Sequence, residues 1–344
     1  MSSGVELGAV VDVDLLIVGA GPVGLFGAYY AGARGLSVAV VDSLSQVGGQ
    51  VTAMYPEKQI FDIAGFPAVS GRQLVGNLVE QAGQFDPTYL LGQEAQKLER
   101  VPQEAGPDRL VVHTSAGTEV NTGAIVVTGG IGTFTPRPLP AGEDFLGRGL
   151  DYFVPSSADY AGRQVVVVGG GDSAVDWALM LHPIADKVTL VHRREAFRAH
   201  AASVDRLHAS GVEVVVNAQV TTTTGRDQLE QVEITVKGEE PRPVACDKLV
   251  AALGFTANLG PLREWGLELH DNRHLVVDSA MRTSVDGVFS AGDITQYDGK
   301  VRLIAVGFGE VATAVNNAAV HIDPDAQLFP GHSTDNPQAL PAPA

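Results

Sequence analysis

Residues 14–42 read DLLIVGAGPVGLFGAYYAGARGLSVAVVD, and this stretch decides the fold. The apolar run at 15–18 has the length of a short buried strand. The small-residue, apolar segment at 25–33 reads as a helix packed on a sheet, and 37–41 reads as a second buried strand. Between the first strand and the helix stands Gly19-Ala-Gly-Pro-Val-Gly24. In that setting the G-x-G-x-x-G spacing has a mechanical meaning. Gly19 makes the tight turn, Gly21 lets a pyrophosphate approach the backbone, and Gly24 lets helix and strand pack closely. The helix N-terminus then turns a partial positive charge toward the phosphates. Asp42 ends the second strand, 23 residues after Gly19. A carboxylate there can accept hydrogen bonds from a ribose diol.

Residues 164–192, QVVVVGGGDSAVDWALMLHPIADKVTLVH, repeat the arrangement 150 residues later. Gly169 and Gly171 take the first two glycine positions and Ala174 the third, with Asp172 and Ser173 opening the helix. The position that held the acid in the first copy is now His192, followed by Arg193, Arg194 and Arg198. A basic cluster at that point is what a ribose 2′-phosphate requires. A merely solvated arginine-rich segment would not account for the cluster falling there. Two such units predict an α/β fold with two Rossmann-like dinucleotide-binding domains. One reads a ribose diol and is expected to take FAD. The other reads a ribose phosphate and is expected to take NADP(H).

The rest of the chain fills in this plan. A length of 344 residues suits two domains. Residues 104–125 and 212–250 read as antiparallel meanders beside the parallel sheets. In the second, VEVVVNAQV, LEQVEITVKG and KLVAALG are the expected strands. A third glycine element, 287–293, ends in Ala291-Gly-Asp293 before an apolar helix at 305–320. Asp293 could bond a flavin ribityl hydroxyl or simply cap that helix. From Pro324 the chain turns proline-rich, and the last ten residues are expected to be mobile.

Composition excludes several functions. The single cysteine, Cys246, cannot form an internal disulfide or a Cys-x-x-Cys pair, and its apolar flanks mark it as a packing residue. The net charge of −17 repels nucleic acid and anionic membrane. No apolar run reaches the ~20 residues of a membrane helix, and the N-terminus lacks a signal-peptide pattern, so a cytoplasmic location is expected.

The chain resembles the thioredoxin-reductase-like branch of the two-dinucleotide flavoproteins. The resemblance runs over about 12–335 and rests on GAGPVG, GGQ at 48–50, VVTGG at 126–130, GGGDSA, HRR, and AGD at 291–293. Thioredoxin reductases carry a dithiol just before the second glycine motif. Here that stretch, 151–160, has no cysteine, and Val23 stands where bacillithiol-disulfide-reductase-like relatives place theirs. The marks GGQVTAMYPEKQIFDIAGFP (48–67), YFV before AGR (152–163), GGGDSAVDWALML (169–181) and IDP…HSTD (322–335) are similar to those of the ferredoxin/flavodoxin–NADP reductases of this type.

That resemblance implies an FAD domain made of 1–126 and 253–344, with an NADP(H) domain, 127–252, inserted between. It also implies roles. Asp42 would bind the adenosine ribose of FAD, and Gln50 and Asp293 the ribityl and pyrophosphate part. Ala95 would present its backbone to adenine, and Phe134 would contact FAD. Tyr55 would stack on one flavin face. His332, preferred over His321, would stack on the other, donated by the partner of a homodimer, with Thr334 nearby. The implied reaction is hydride transfer between NADPH and flavin N5, then single-electron exchange with ferredoxin or flavodoxin. Glycines near 128–130 and 254 would serve as hinges. Lys58, Lys300 and Arg302 are candidates for a basic docking patch. The alternatives are a reductase of small acceptors such as free flavin or quinone, and a non-catalytic FAD/NADPH redox sensor.

Overall fold

The structure is a computed structural model that describes residues 8–104, 106–130 and 132–332, apart from the side chains at 133, 134 and 257. The chain forms two compact units, one of residues 1–134 with 257–344 and one of residues 135–256. The crossings thus fall a few residues beyond 126/127 and 252/253. The strand Glu119–Val127 belongs wholly to the first unit, and the short strands Thr133–Pro136 and Phe255–Asn258 pair at the crossings.

In the first unit the strand Val10–Val18 lies at the centre of the sheet. It pairs in parallel with Val38–Asp42 on one side and with Glu119–Val127 on the other. Thr88–Leu91 extends the sheet beyond Val38–Asp42, also in parallel. Glu119–Val127 has a second task. Its first half pairs antiparallel with Arg109–Thr114, which pairs with Ala95–Val101, while its last residues pair in parallel with Val288–Ser290. Side chains alternate between two cores. Leu15, Ile17, Val38, Val40, Ala124 and Val126 meet the helices Pro22–Ala33 and Ile304–Ile322. Leu16, Ala39, Val41, Ile125 and Val127 face Leu110, Val112 and Trp265 on the other side. Both faces are covered, which is why these strands read as unbroken apolar runs.

The helix Pro22–Ala33 begins with proline in its first turn, where the missing N–H costs nothing. Its small residues allow close packing. A Cβ on Gly27 would stand 2.7 Å from Val311 Cγ2 of the long helix. Beyond the C-terminal end of Pro22–Ala33, Arg34 donates to the carbonyls of Leu328 at 3.0 Å and Gln327 at 2.9 Å, and also to Asn316 Oδ1. The chain that follows the long helix is therefore fastened to the end of Pro22–Ala33 remote from the glycine turn.

The second unit repeats the pattern with five parallel strands in the order Leu150–Asp151, Lys248–Ala251, Gln164–Val168, Lys187–Val191 and Glu213–Val215. The helix Asp172–Leu181 follows the glycine turn. The antiparallel layer is Ala218–Gly225, Leu229–Val236 and Arg242–Ala245. Two sequence expectations need correction here. VEVVVNAQV is not one strand: Asn217 adopts φ +53 and divides it, sending 213–215 to the parallel sheet and 218–225 to the meander. KLVAALG is not a meander strand either. It supplies Lys248–Ala251, an inner strand of the parallel sheet between Leu150–Asp151 and the central Gln164–Val168. Cys246 is buried, its Sγ donates to the Lys248 carbonyl at 3.2 Å, and burial pushes the thiol up to about 12. No helix among the described residues is long and apolar enough to cross a membrane.

The contact between Gly27 and Val311 yields a prediction. Gly27→Ala should destabilise the protein by about 1–3 kcal/mol through overpacking. Combined with Val311→Ala it should cost clearly less than the two changes summed, because the second opens space for the first. Thermal melting of the four proteins checks this; strict additivity would refute it.

Candidate functional site: two nucleotide cradles

A cleft in the first unit is lined by Gly19, Gly21, Asp42, Gln50, Tyr55, Ala95 and Asp293 together. These residues come from five separate stretches of chain. The glycines divide the labour as the spacing predicts. Gly19 has φ +114, and a Cβ on it would stand 2.7 Å from the Thr128 carbonyl oxygen. A Cβ on Gly24 would run into the Gly19 carbonyl oxygen and lie 2.7 Å from Thr128 Oγ1, so this glycine sits beneath the turn and not in the cleft. Gly21 has open space on its side-chain side, and the helix behind it has no side-chain cap. A pyrophosphate fits this arrangement: the backbone is bare, and the uncapped helix amides need acceptors.

Asp42 is already half occupied. Its Oδ2 accepts from the Ala20 amide at 2.7 Å and its Oδ1 from the Leu44 amide at 2.8 Å. The carboxylate therefore ties the strand end to the glycine loop, with lone pairs left for a diol. Burial pushes its pKa above the usual carboxylate range, against the lowering effect of the two amides. Gln50 lies across Gly130, its Nε2 3.0 Å from where a Cβ there would stand. Burial raises the Tyr55 hydroxyl, and Asp293 and Asp62 raise it further, so Tyr55 and Asp293 share one electrostatic neighbourhood.

Asp293 follows the strand Val288–Ser290. Its backbone carbonyl is 3.2 Å from His274 Nδ1. Burial raises its carboxyl, opposed by Lys300 and Arg302. Behind it lies a buried charge pair. Lys300 Nζ stands 2.5 Å from Glu310 Oε1, with side-chain exposures of 1% and 5%. This corrects one expectation. Lys300 cannot serve a docking patch, because its ammonium is spent on Glu310. Arg302 is exposed and bonds Gln296 at 2.9 Å, and Lys58 is half-buried.

Beside Thr128 of the VVTGG stretch, the cleft also holds residues that no motif marked: Gln93, Glu94, Leu259, Pro261 and Leu262. The Gln93 side-chain oxygen accepts from the Thr114 hydroxyl at 2.7 Å, and its backbone N–H donates to the Asp42 backbone carbonyl at 3.0 Å. Its place directly before Glu94 and Ala95 was the available signal. Residues 259–262 gave none, because they reach the cleft after the chain returns from the second unit. The Phe134 backbone lies in Thr133–Pro136, but its side chain is outside the described residues, as is Thr334. His332 is exposed, does not line the cleft, and meets Phe329 edge-on at 5.2 Å between ring centroids. Residues 335–344 also lie outside the described residues.

The second unit holds a second cradle. A Cβ on Gly169 would stand 2.5 Å from the Ala252 carbonyl oxygen and 2.7 Å from the Ala174 methyl, so the third position must stay small. Gly171 faces open space at an uncapped helix start. Asp172 Oδ1 accepts from the His200 amide at 2.8 Å, and the Arg198 amide donates to the Gly170 carbonyl at 2.8 Å. Those two bonds stitch the arginine segment to the glycine loop. Arg193, Arg194 and Arg198 are exposed, as is Ser173. The three guanidiniums have no hydrogen-bonding or ion-pair partner among the described residues, which fits a bound phosphate. His192 differs from them. It is 6% exposed, its ring lies under Gly170, and it stacks on Phe197 at 5.0 Å. It supports the loop from behind. Burial lowers its pKa, and Arg193, Arg194 and Arg198 lower it further, against the Ala196 carbonyl.

A strand–glycine turn–helix unit used twice, each with its own cradle, defines a two-dinucleotide oxidoreductase. The family description "pyridine nucleotide-disulphide oxidoreductase" matches residues 13–318. A ferredoxin–NADP reductase of Salinispora tropica is 62% identical over 94% of this chain and 99% of that protein. One from a Nocardioides species is 61% identical over 94% and 98%. The crystal structure of T. acidophilum thioredoxin reductase superposes with a TM-score of 0.73 at 26% identity, over 92% of this chain and 99% of that one. The chain belongs to the pyridine nucleotide-disulphide oxidoreductase family, within its FAD- and NADP(H)-dependent ferredoxin–NADP reductases.

The buried imidazole predicts a pH effect. A His whose folded pKa lies below its ordinary value of 6.5 contributes stability that is present above 6.5 and lost as pH falls through the folded pKa. Acidification from neutral pH should therefore destabilise the second unit, and His192→Gln should flatten that dependence. Melting curves across pH 5–8 check it; parallel pH profiles for the two proteins would contradict it.

Proposed function

We propose that this chain carries electrons between NADPH and a one-electron carrier protein, ferredoxin or flavodoxin, as a cytoplasmic homodimer. Residues 1–134 and 257–344 hold FAD, and 135–256 hold NADP(H). The observation that carries this reading is the contrast between the two cradles. Asp42 offers acceptors where Arg193, Arg194 and Arg198 offer donors, so the two sites take different nucleotides. When bound, the flavin supplies hydride acceptance at N5 and release of electrons one at a time.

The residues act by binding and orienting. Gly19, Gly21 and the helix start at Pro22 receive the FAD pyrophosphate, and Asp42 accepts from the adenosine ribose. Ala95 presents its backbone to adenine, Phe134 contacts FAD, and Gln50 and Asp293 bond the ribityl and pyrophosphate part. Tyr55 covers one flavin face. Gly169, Gly171, Asp172, Ser173 and Ala174 shape the NADP(H) loop, with His192 beneath it and the arginines on the 2′-phosphate. His332 covers the other flavin face from a second copy, and Thr334 bonds near the flavin. Two observations support that delivery in trans: His332 does not line its own cleft, and Arg34 fastens 327–328 at the far end of a 12-residue helix. A helix of that length spans ~18 Å. No protein thiol relays electrons, since the one cysteine is buried with a raised pKa.

One observation favours a small acceptor instead. The net charge is −17, and Lys300 is withdrawn from the surface, which leaves less positive charge for an acidic carrier. Salt separates the two readings. Turnover through a carrier docked on basic groups should fall with ionic strength, whereas turnover of a neutral quinone should not.

The test is NADPH-driven cytochrome c reduction with and without added ferredoxin or flavodoxin. A carrier-dependent rate is expected, and a rate indifferent to both carriers would remove the proposal. Bleaching of the oxidised flavin band on mixing with NADPH checks the hydride step; a band that stays oxidised would sink it. Arg194→Ala should weaken NADPH binding roughly tenfold to hundredfold, the loss of one charge-assisted bond, and leave NADH binding unchanged. Titration with both nucleotides measures this. Equal losses for the two would mean that Arg194 does not read the phosphate.

A further inference from the structure

Glu310 is a buried carboxylate that nothing in the nucleotide motifs calls for. It lies on the helix Ile304–Ile322 and is 5% exposed. Burying a carboxylate is costly unless it is paired and fully hydrogen-bonded. Glu310 meets that condition with three donors. Its Oε2 accepts from the Gly292 amide at 2.8 Å. Its Oε1 accepts from the Tyr297 hydroxyl at 2.7 Å and from Lys300 Nζ at 2.5 Å.

All three donors belong to the short stretch 292–300, which leads from the strand Val288–Ser290 toward the long helix. One carboxylate thus holds both ends of that stretch. The point it grips is a demanding one. Gly292 has φ +84, a conformation that favours glycine. A Cβ on Gly307, in the first turns of the helix, would stand 2.5 Å from Val23 Cγ2 and 3.3 Å from Gly292 Cα. The glycine loop, Gly292 and the helix are therefore packed against one another. The Gly292 carbonyl is taken as well, by the Thr295 amide at 3.0 Å and hydroxyl at 2.8 Å. With both polar groups of Gly292 held, the next residue has little freedom in its direction. That residue is Asp293, which lines the cleft.

We propose that Glu310 is a positioning residue that sets the aim of Asp293 into the FAD cleft by fixing the Gly292 amide, with Lys300 pairing the buried carboxylate. This rests on the reading of that cleft as the FAD site. The essential element is the acceptor for Gly292 N–H. The ion pair makes that acceptor affordable in a buried place. A neutral acceptor of the same shape would then serve nearly as well once Lys300 is also made neutral.

Two neutral double variants isolate the acceptor. Lys300→Met with Glu310→Gln retains an oxygen for the Gly292 amide, and Lys300→Met with Glu310→Leu removes it. Neither leaves a buried charge unpaired. FAD binding to the apoprotein is read by quenching of FAD fluorescence, and NADP+ binding to the second unit serves as a control for folding. The Leu variant should bind FAD roughly tenfold more weakly than the Gln variant, the equivalent of one lost hydrogen bond, while the Gln variant stays within about threefold of the parent. Equal FAD affinity in two variants that both bind NADP+ overturns the proposal. Hydrogen exchange of the parent apoprotein is an independent measurement that needs no variant. Peptides covering 291–297 should stay protected without FAD; free exchange there also overturns it. A parent apoprotein that binds no FAD at all would instead remove the reading of the cleft and be told apart from either result.

Discussion

Two carbonyl oxygens lie where side chains would otherwise be, and both halves of the molecule are organised around that fact. In the first unit the Gly24 Cα approaches the Gly19 carbonyl so closely that no Cβ can intervene, and Gly19 itself lies against Thr128. The helix Pro22–Ala33 can therefore start directly above the sheet, with its uncapped amides at the strand ends. In the second unit the Ala252 carbonyl crowds Gly169 in the same way, and Ala174 takes the third position. A nucleotide cradle is thus a consequence of close backbone packing. The bare amides and the positive end of the helix come with it.

The two cradles diverge in what stands at the end of the following strand. Asp42 uses one lone pair of each oxygen on its own backbone, through Ala20 and Leu44, and remains an acceptor. At the equivalent place the second unit buries His192 beneath Gly170 and leaves three arginines exposed beside the loop. The imidazole and the guanidiniums stand close enough for repulsion, and burial already disfavours the imidazolium. The neutral ring can therefore pack under the loop while the positive charge stays at the surface, available to a phosphate. Division of charge between neighbours of one motif is a physical solution to needing both a support and a binding site at the same strand end.

The first cleft is closed by a different economy. The loop that carries Asp293 has no regular structure to hold it, so its backbone groups are held individually: Gly292 by Glu310 and Thr295, Asp293 by His274. Glu310 and Lys300 are charged residues in a protein that is strongly acidic overall, yet they face inward. Their withdrawal reshapes the surface as well as the loop, because a lysine counted toward an acidic partner is no longer there to meet it.

The amino-acid sequence by itself determined the features that depend on residues near one another in the chain. The two glycine turns, the buried strands at 15–18 and 164–168, Asp42 and the arginine cluster follow from spacing, because the backbone conformation of a tight turn and the period of a strand are local constraints. The assembly of Asp42, Gln50, Tyr55, Ala95 and Asp293 on one cleft was legible only through resemblance to a family. Tertiary structure alone decided the rest. The stretch 213–225 divides at Asn217 because two sheets compete for it, and Lys248–Ala251 joins the parallel sheet because Gln164–Val168 offers it a partner. Lys300 is buried because Glu310, ten residues on, turns one side of a helix toward it. Gln93 and 259–262 enter the cleft from opposite sides of the second unit's insertion. For the strands and the cleft residues the deciding energy is a pairing or burial between segments distant in sequence; for Lys300 and Glu310, only ten residues apart, it is the fold of the chain between them that brings the charges together.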